Sequence, residues 1–295
     1  MSPVIECIGL SHDYNGKPAL RNVSWQLQPG HICGLLGRNG AGKTTTINIL
    51  NSFLTPKSGR CLLFGEDAHQ LSNATKSRIG YLIEGHVQYG FFNVRQIEKF
   101  YSAFYEKWNP SIYYHLTEKL DISPSQRIST MSCGQRSQVA LGLILAQQPD
   151  LIILDDYSMG LDPGYRRLFI EVIRDYAADG KRGILLTSHI IQDLEGLVDD
   201  VVFYDHGRVL TDTQAKKLQQ EFCKFSFVPD STIEDAFDST TLIRLEHGGK
   251  RSAIYGFLTA ETAAEELKKQ KIQFTDLKND SLSLEDIFIA LTGKY

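Results

Sequence analysis

The chain has 295 residues, of which 42% are hydrophobic and 22% charged, with a formal net charge of −4. This is the balance of a soluble globular protein of about two domains with enough material for a substantial core. No basic stripe is present, which argues against a nucleic-acid partner.

The longest apolar run, "VALGLILA" at residues 139–146, falls far short of the roughly 20 apolar residues that cross a bilayer. The opening "MSPVIECIGL" has no basic region followed by an apolar stretch, so no signal peptide is expected. Cys7, Cys33, Cys61, Cys133 and Cys223 are odd in number and never spaced as CxxC. They read as reduced intracellular thiols, not as a disulfide frame or a zinc site. A chain of this kind that works at a membrane must borrow one from a partner.

In chain order, residues 2–36 alternate short apolar runs with turn signals, predicting β-hairpins that lead into a buried strand at 32–36. The stretch 42–53 predicts a helix opening after a Gly-rich turn. "GRCLLFGED" predicts a further strand, and "SRIGYLIEG" one ending near Leu82. From about 85 to 145 helical spacing takes over and aromatics crowd in. Phe100, Phe104 and Trp108 are spaced for one helical face, with Tyr101 and Tyr105 beside them. A helix also fits 134–147. Then "LIILD", "GYRRLFIEVIRDYAADG" and "GILLTSH" read as strand, helix, strand. Such alternation implies a parallel sheet covered by helices. Past about residue 214, "KFSFVP", "TTLIRLEH" and "RSAIYGFL" predict strands, and "ETAAEELKKQ" and "LEDIFIALTG" predict helices. The expected division is 1–213 and a small C-terminal α/β domain over 214–295.

"GRNGAGKT", Gly37 to Thr44, matches G-x-x-x-x-G-K-[ST] between a predicted strand and a predicted helix. The glycines at 37, 40 and 42 permit backbone conformations that aim successive N–H groups at phosphate oxygens. The helix behind them turns its positive dipole end to the same anion. Lys43 supplies a mobile charge for the β- and γ-phosphates, and the Thr44 hydroxyl suits Mg²⁺. Asp155 ends the apolar strand 151–154, where a carboxylate can hold Mg²⁺ directly or through water.

Together these motifs resemble the ATP-binding subunit of ABC transporters. Further stretches between residues 4 and about 213 carry the resemblance. "STMSCGQRSQVALGLILAQQPDLIILDD" looks like the signature sequence, its helix and the Walker B strand, with Ser132, Gly134 and Gln135 at signature positions. "GLDP" at 160–163 looks like the D-loop, and "TSH" ends in His189, the switch histidine position. Tyr14 in "HDY" stands where an aromatic stacks on adenine, and Glu84 stands in the Q-loop. The fold implied is a P-loop NTPase ABC cassette: a parallel core sheet with helices, an antiparallel β subdomain and a helical subdomain over about 85–145, followed by the small C-terminal α/β domain.

The resemblance also implies site residues and partners. Gly37, Arg38, Asn39, Gly40, Ala41, Gly42, Lys43, Thr44 and Thr45 would hold ATP, with Tyr14 on its base. Thr44, Asp155 and Glu84 would hold Mg²⁺; Asp156, His189 and Glu84 would act on the attacking water. Ser132, Gly134 and Gln135 would serve the ATP of a second ATP-binding subunit in a head-to-tail dimer, homomeric or heteromeric. The aromatic segment would dock a separate polytopic membrane permease, placing the chain on the inner face of the cell membrane. The closing stretch "SLSLEDIFIALTGK" and the internal segment "FYEKWNP" resemble those of exporters of drugs, antibiotics and peptides.

Four positions depart from the family pattern. Glu84 replaces Gln, Cys133 replaces Gly, Tyr157 replaces Pro, and Asp156 replaces the Glu that acts as general base. Asp is one methylene shorter, roughly 1.5 Å less reach. A base must come within about 2.6–3.2 Å of its proton carrier. Asp156 is therefore either a base working through a shifted water, or the mark of a slowly or non-hydrolysing partner.

Overall fold

The computed structural model describes residues 2–85, 88–188, 190–230 and 242–293. They form two compact units, residues 1–212 and 213–295.

The first unit opens with a hairpin, β1 (Ile5–Tyr14) and β2 (Lys17–Leu27). Its two-residue turn, Asn15–Gly16, has φ of 53° and 83°, the left-handed pair that matches strand twist. β3 (Ile32–Gly37) leads to α1 (Lys43–Leu50), then β4 (Ser58–Leu63), β5 (Glu66–Asp67), the four-residue α2 (Asn73–Lys76) and β6 (Ile79–Leu82). The helix expected to reach residue 53 stops at Leu50, because Ser52 takes φ 61° and closes it.

A helical section follows: α3 (Val94–Ser102), α4 (Pro110–Lys119) and α5 (Cys133–Ala146). The single aromatic face expected through Trp108 is corrected here. Pro110 disfavours helix at the residue before it, and Asn109 instead caps α4 by accepting from the Ser111 N–H. Phe104 and Trp108 thus lie outside α3, and the Trp108 indole turns back to donate to Glu98 at 2.7 Å. Val94, Ile97, Tyr113, Ile128, Val139 and Leu143 form the core of this section. Of the nine aromatic residues from Phe91 to Tyr114, Tyr113 is buried, five are half-buried, and Phe91, Phe100 and Phe104 are exposed.

β7 (Leu151–Leu154), α6 (Pro163–Ala177), β8 (Gly183–Leu186), β9 (Asp200–Asp205) and β10 (Arg208–Gln214) complete this part of the chain. The four strands β2-β1-β4-β5 form an antiparallel sheet. The six-stranded sheet runs β10-β9-β3-β8-β7-β6, with β9 through β6 parallel to one another. β7 and β8 are buried along their whole length, which is why they read as unbroken apolar runs. Both sheets and α1 share one core, containing Leu20, Trp25, Leu35, Ile47, Ile153 and Leu185.

The second unit contains α7 (Ala215–Glu221), β11 (Cys223–Pro229), β12 (Leu242–Gly248), β13 (Arg251–Gly256), α8 (Ala260–Lys269), β14 (Phe274–Asp280) and α9 (Leu284–Thr292). The strand order is β12-β13-β11-β14, over a core of Phe225, Phe227, Ile254, Ala263 and Leu267. α7 and β14 are elements the sequence reading did not announce. Among the described residues no helix is long and apolar enough to cross a membrane.

Candidate functional site

The loop between β3 and α1 is shaped by glycine. Gly42 sits at φ 108°, and a Cβ there would come within 2.7 Å of the Ala19 carbonyl. Only glycine fits such a position without strain. α1 has no acidic residue in its first turn, so its positive end is left for an anion. Lys43 is 8% exposed. Its ammonium donates to the carbonyls of Gly37 at 2.6 Å and Arg38 at 3.1 Å. Burial lowers its pKa, while the charges of Asp156 and Asp155 pull it back up.

These groups line a cleft of about 630 Å³. Asn39, Gly40, Gly42, Lys43, Thr44 and Thr45 form one wall, and Tyr14 forms a half-exposed edge. The Tyr14 hydroxyl lies 3.5 Å from Thr45 Oγ1, and His12 packs edge-on against its ring. Glu84, Asp155 and Asp156 close the opposite wall. The sheet explains their convergence. β3 is flanked by β8, β8 by β7 and β7 by β6, so the loops after all four strands open at the same edge, the usual ligand edge of a parallel sheet. Gly37, Arg38 and Ala41 belong to the loop without lining the cleft.

Asp155 is 4% exposed. Burial raises its pKa; the Thr187 hydroxyl, donating at 3.1 Å, opposes that, and the neighbouring charges of Glu84 and Asp156 add to it. A divalent cation would favour its ionised form. Among the described residues no three His, Cys, Asp or Glu side chains cluster closely enough to hold a metal by themselves. The donor set of Thr44, Asp155 and Glu84 therefore fits a hard cation that takes its other oxygens from water and phosphate, as Mg²⁺ does.

Asp156 is 6% exposed and adopts φ 42°. Its N–H donates to Thr187 Oγ1 at 2.7 Å, and its carboxylate accepts from Ser158 at 3.1 Å. The next side chain, Tyr157, points inward and stacks on Phe169 with centroids 4.9 Å apart. Burial pushes its hydroxyl well above the ordinary tyrosine value.

The signature residues lie elsewhere. Ser132, Gly134 and Gln135 open α5 and do not line the cleft. Ser132 and Gln135 form a reciprocal capping box, with both bonds at 3.1 Å. Gly134 is glycine because a Cβ there would collide with the Tyr165 ring. Cys133 packs against Gly160: its sulfur lies 3.1 Å from where a Cβ on that residue would stand. In "GLDP", Asp162 caps α6 and Pro163 takes its first position. His189 lies outside the described residues. Thr187, Ser188 and Ser158 were missed by sequence reasoning. "TSH" drew attention only to its histidine, and the strand pairing that brings Thr187 to Asp156 is not written in local sequence.

Residues 20–158 match the family model described as ABC transporter. The chain is 27% identical to the Nod factor export ATP-binding protein I of Cupriavidus metallidurans, over all of this chain and 99% of that one. It is 27% identical to the bacitracin transport ATP-binding protein BcrA of Bacillus licheniformis, over 99% of this chain and 98% of that one. A solved ATP-binding subunit of an ABC transporter superposes with a TM-score of 0.66 at 24% identity, covering 74% of this chain and 92% of its own.

Proposed function

We propose that this chain, an ATP-binding subunit of an ABC transporter with the P-loop NTPase cassette fold, hydrolyses Mg-ATP to energise export through a separate membrane permease. The observation that carries the reading is the single cleft in which Lys43, Thr44, Asp155 and Asp156 meet. The loop N–H groups and Lys43 receive the phosphates, and Tyr14 receives the base. Thr44 and Asp155, with Glu84 nearby, would hold Mg²⁺, which would supply positive charge against the phosphates. Asp156 takes a proton from the attacking water as it meets the γ-phosphorus. The products are ADP and inorganic phosphate.

The same reading gives the signature helix its task. Ser132 is exposed at the start of α5 and outside the chain's own cleft, which supports its serving the ATP of a second subunit. ATP would join two such subunits head to tail and hydrolysis would release them, a shift in populations driven by differential affinity. The exposed rings of Tyr89, Phe91, Phe100 and Phe104 form a connected aromatic patch. It suits a short amphipathic helix of a permease, which would place the chain on the inner face of the cell membrane. The names of the relatives, a Nod factor exporter component and a bacitracin transport component, support export of a small amphipathic or peptide-like compound.

Asp156 in place of Glu favours one alternative, a partner that binds ATP and turns it over slowly or not at all. Mg²⁺-dependent ATP turnover by the purified chain separates the two. For the motor, wild type exceeds Lys43→Ala, Asp156→Asn falls by about 100-fold or more, and Asp156→Glu retains activity. Background turnover in wild type, with ATP still bound, identifies the slow partner.

A further inference from the structure

Asp156 is held by a directed chain of hydroxyls. Ser158 Oγ donates to Asp156 Oδ1 at 3.1 Å. An ionised carboxylate only accepts, so this bond uses Ser158's single proton. Ser188 Oγ lies 3.1 Å from Ser158 Oγ; its single proton can go there or to the Ile190 carbonyl at 3.3 Å, and the shorter contact, to Ser158, completes the chain. Ser188 Oγ in turn accepts from the Ile190 N–H at 3.0 Å. The order is Ile190 N–H to Ser188 to Ser158 to Asp156. On the other side, Thr187 Oγ1 accepts from the Asp156 N–H and donates to Asp155 Oδ1. Ser158, Thr187 and Ser188 are 6%, 1% and 3% exposed, and Thr187 and Ser188 line the cleft beside Asp156.

We propose that Ser158 and Ser188 are positioning residues that fix the aim of the Asp156 carboxylate, so that a base shorter by one methylene meets the attacking water in one orientation. The inference rests on the reading of Asp156 as the base of ATP hydrolysis. Three features support it. Asp156 sits at φ 42°, a backbone conformation that an L-residue keeps only where its surroundings impose it. The short side chain leaves few rotamers, so the hydrogen bond from Ser158 constrains its direction. The bond also ties the Asp156 turn, through Ser188, to the backbone immediately after residue 189.

The experiment compares ATP turnover and ATP affinity in wild type, Ser158→Ala, Ser158→Thr, Ser188→Ala and the double alanine variant, with Lys43→Ala as background and thermal melting as the check on folding. The expected result is a kcat lower by roughly 10- to 100-fold in Ser158→Ala, with KM for ATP within about twofold. Ser158→Thr, which keeps the hydroxyl, restores most of the rate. Ser188→Ala loses part of the rate, and the double variant falls no further than Ser158→Ala because both act on one path. A Ser158→Ala kcat within about twofold of wild type overturns the proposal. So does a loss that Ser158→Thr fails to restore. Wild-type turnover no higher than Lys43→Ala removes the hydrolytic reading itself, an outcome distinct from failure of the positioning role alone.

Discussion

At the residue scale the cleft gathers carboxylates of like charge around a buried Asp155. Asp155 combines burial with two neighbouring carboxylates, and its pKa is raised. A carboxyl whose folded pKa exceeds its unfolded value contributes stability below the unfolded pKa and loses it as pH rises through the folded one. Asp155 therefore costs the ligand-free protein stability above about pH 4. Asp155→Asn keeps the shape, and its oxygen can still accept from Thr187. Its melting temperature is expected to exceed that of wild type by a few degrees at pH 7 and to converge with it toward pH 4. Mg²⁺-dependent ATP turnover should be lost in the same variant. A thermal scan at the two pH values checks the first part, and a wild type more stable than the variant at pH 7 refutes it.

At the element scale α5 begins with a cap whose serine stays exposed. The Ser132–Gln135 capping box closes the helix N-terminus, and Ser132 remains exposed there. Replacing a capping serine by alanine costs about 1 kcal/mol. Ser132→Ala should therefore melt only a few degrees lower and keep its affinity for ATP. If Ser132 also serves a second subunit, the ATP-driven dimer should weaken by about tenfold or more. Sedimentation with Mg-ATP in an Asp156→Asn background measures this. Full dimerisation by Ser132→Ala leaves the residue only its cap. The helices α3 and α4 carry a related lesson. The aromatic spacing from Phe100 to Trp108 looks continuous in sequence, but Asn109–Pro110 starts a new helix and folds Trp108 onto Glu98.

At the scale of the whole molecule, the described residues bury separate apolar cores and leave a connected run of aromatic rings exposed. Phe91 and Phe104 are 69% and 66% exposed, so they contribute little to folding. Changing both to serine is expected to move stability by no more than about 1 kcal/mol and to leave ATP binding unchanged. If this patch is where a membrane permease docks, association with it should fall by at least about tenfold, since buried aromatics dominate interface energies. Co-purification with the co-expressed membrane partner reads this out, and retention at the wild-type level moves the docking face elsewhere.

The sequence by itself determined the parts of this protein whose physics is local. The phosphate loop needs its glycines, lysine and threonine within eight positions, and the buried strands need unbroken apolar runs. Both could be read directly, as could the β-hairpin pattern of the opening residues. The polar β14 was not legible, because its place is set by pairing with β11 rather than by its own alternation. Only the tertiary structure decided which side chains meet. The parallel register Leu154↔Leu186 sets Thr187 beside Asp155 and Asp156, residues more than thirty positions apart. The turn at Asp156 carries Ser158 to the same carboxylate. The surroundings of that carboxylate combine a local bond from Ser158 with Thr187 and Ser188 from a distant segment, and only the local part is within reach of a sequence pattern.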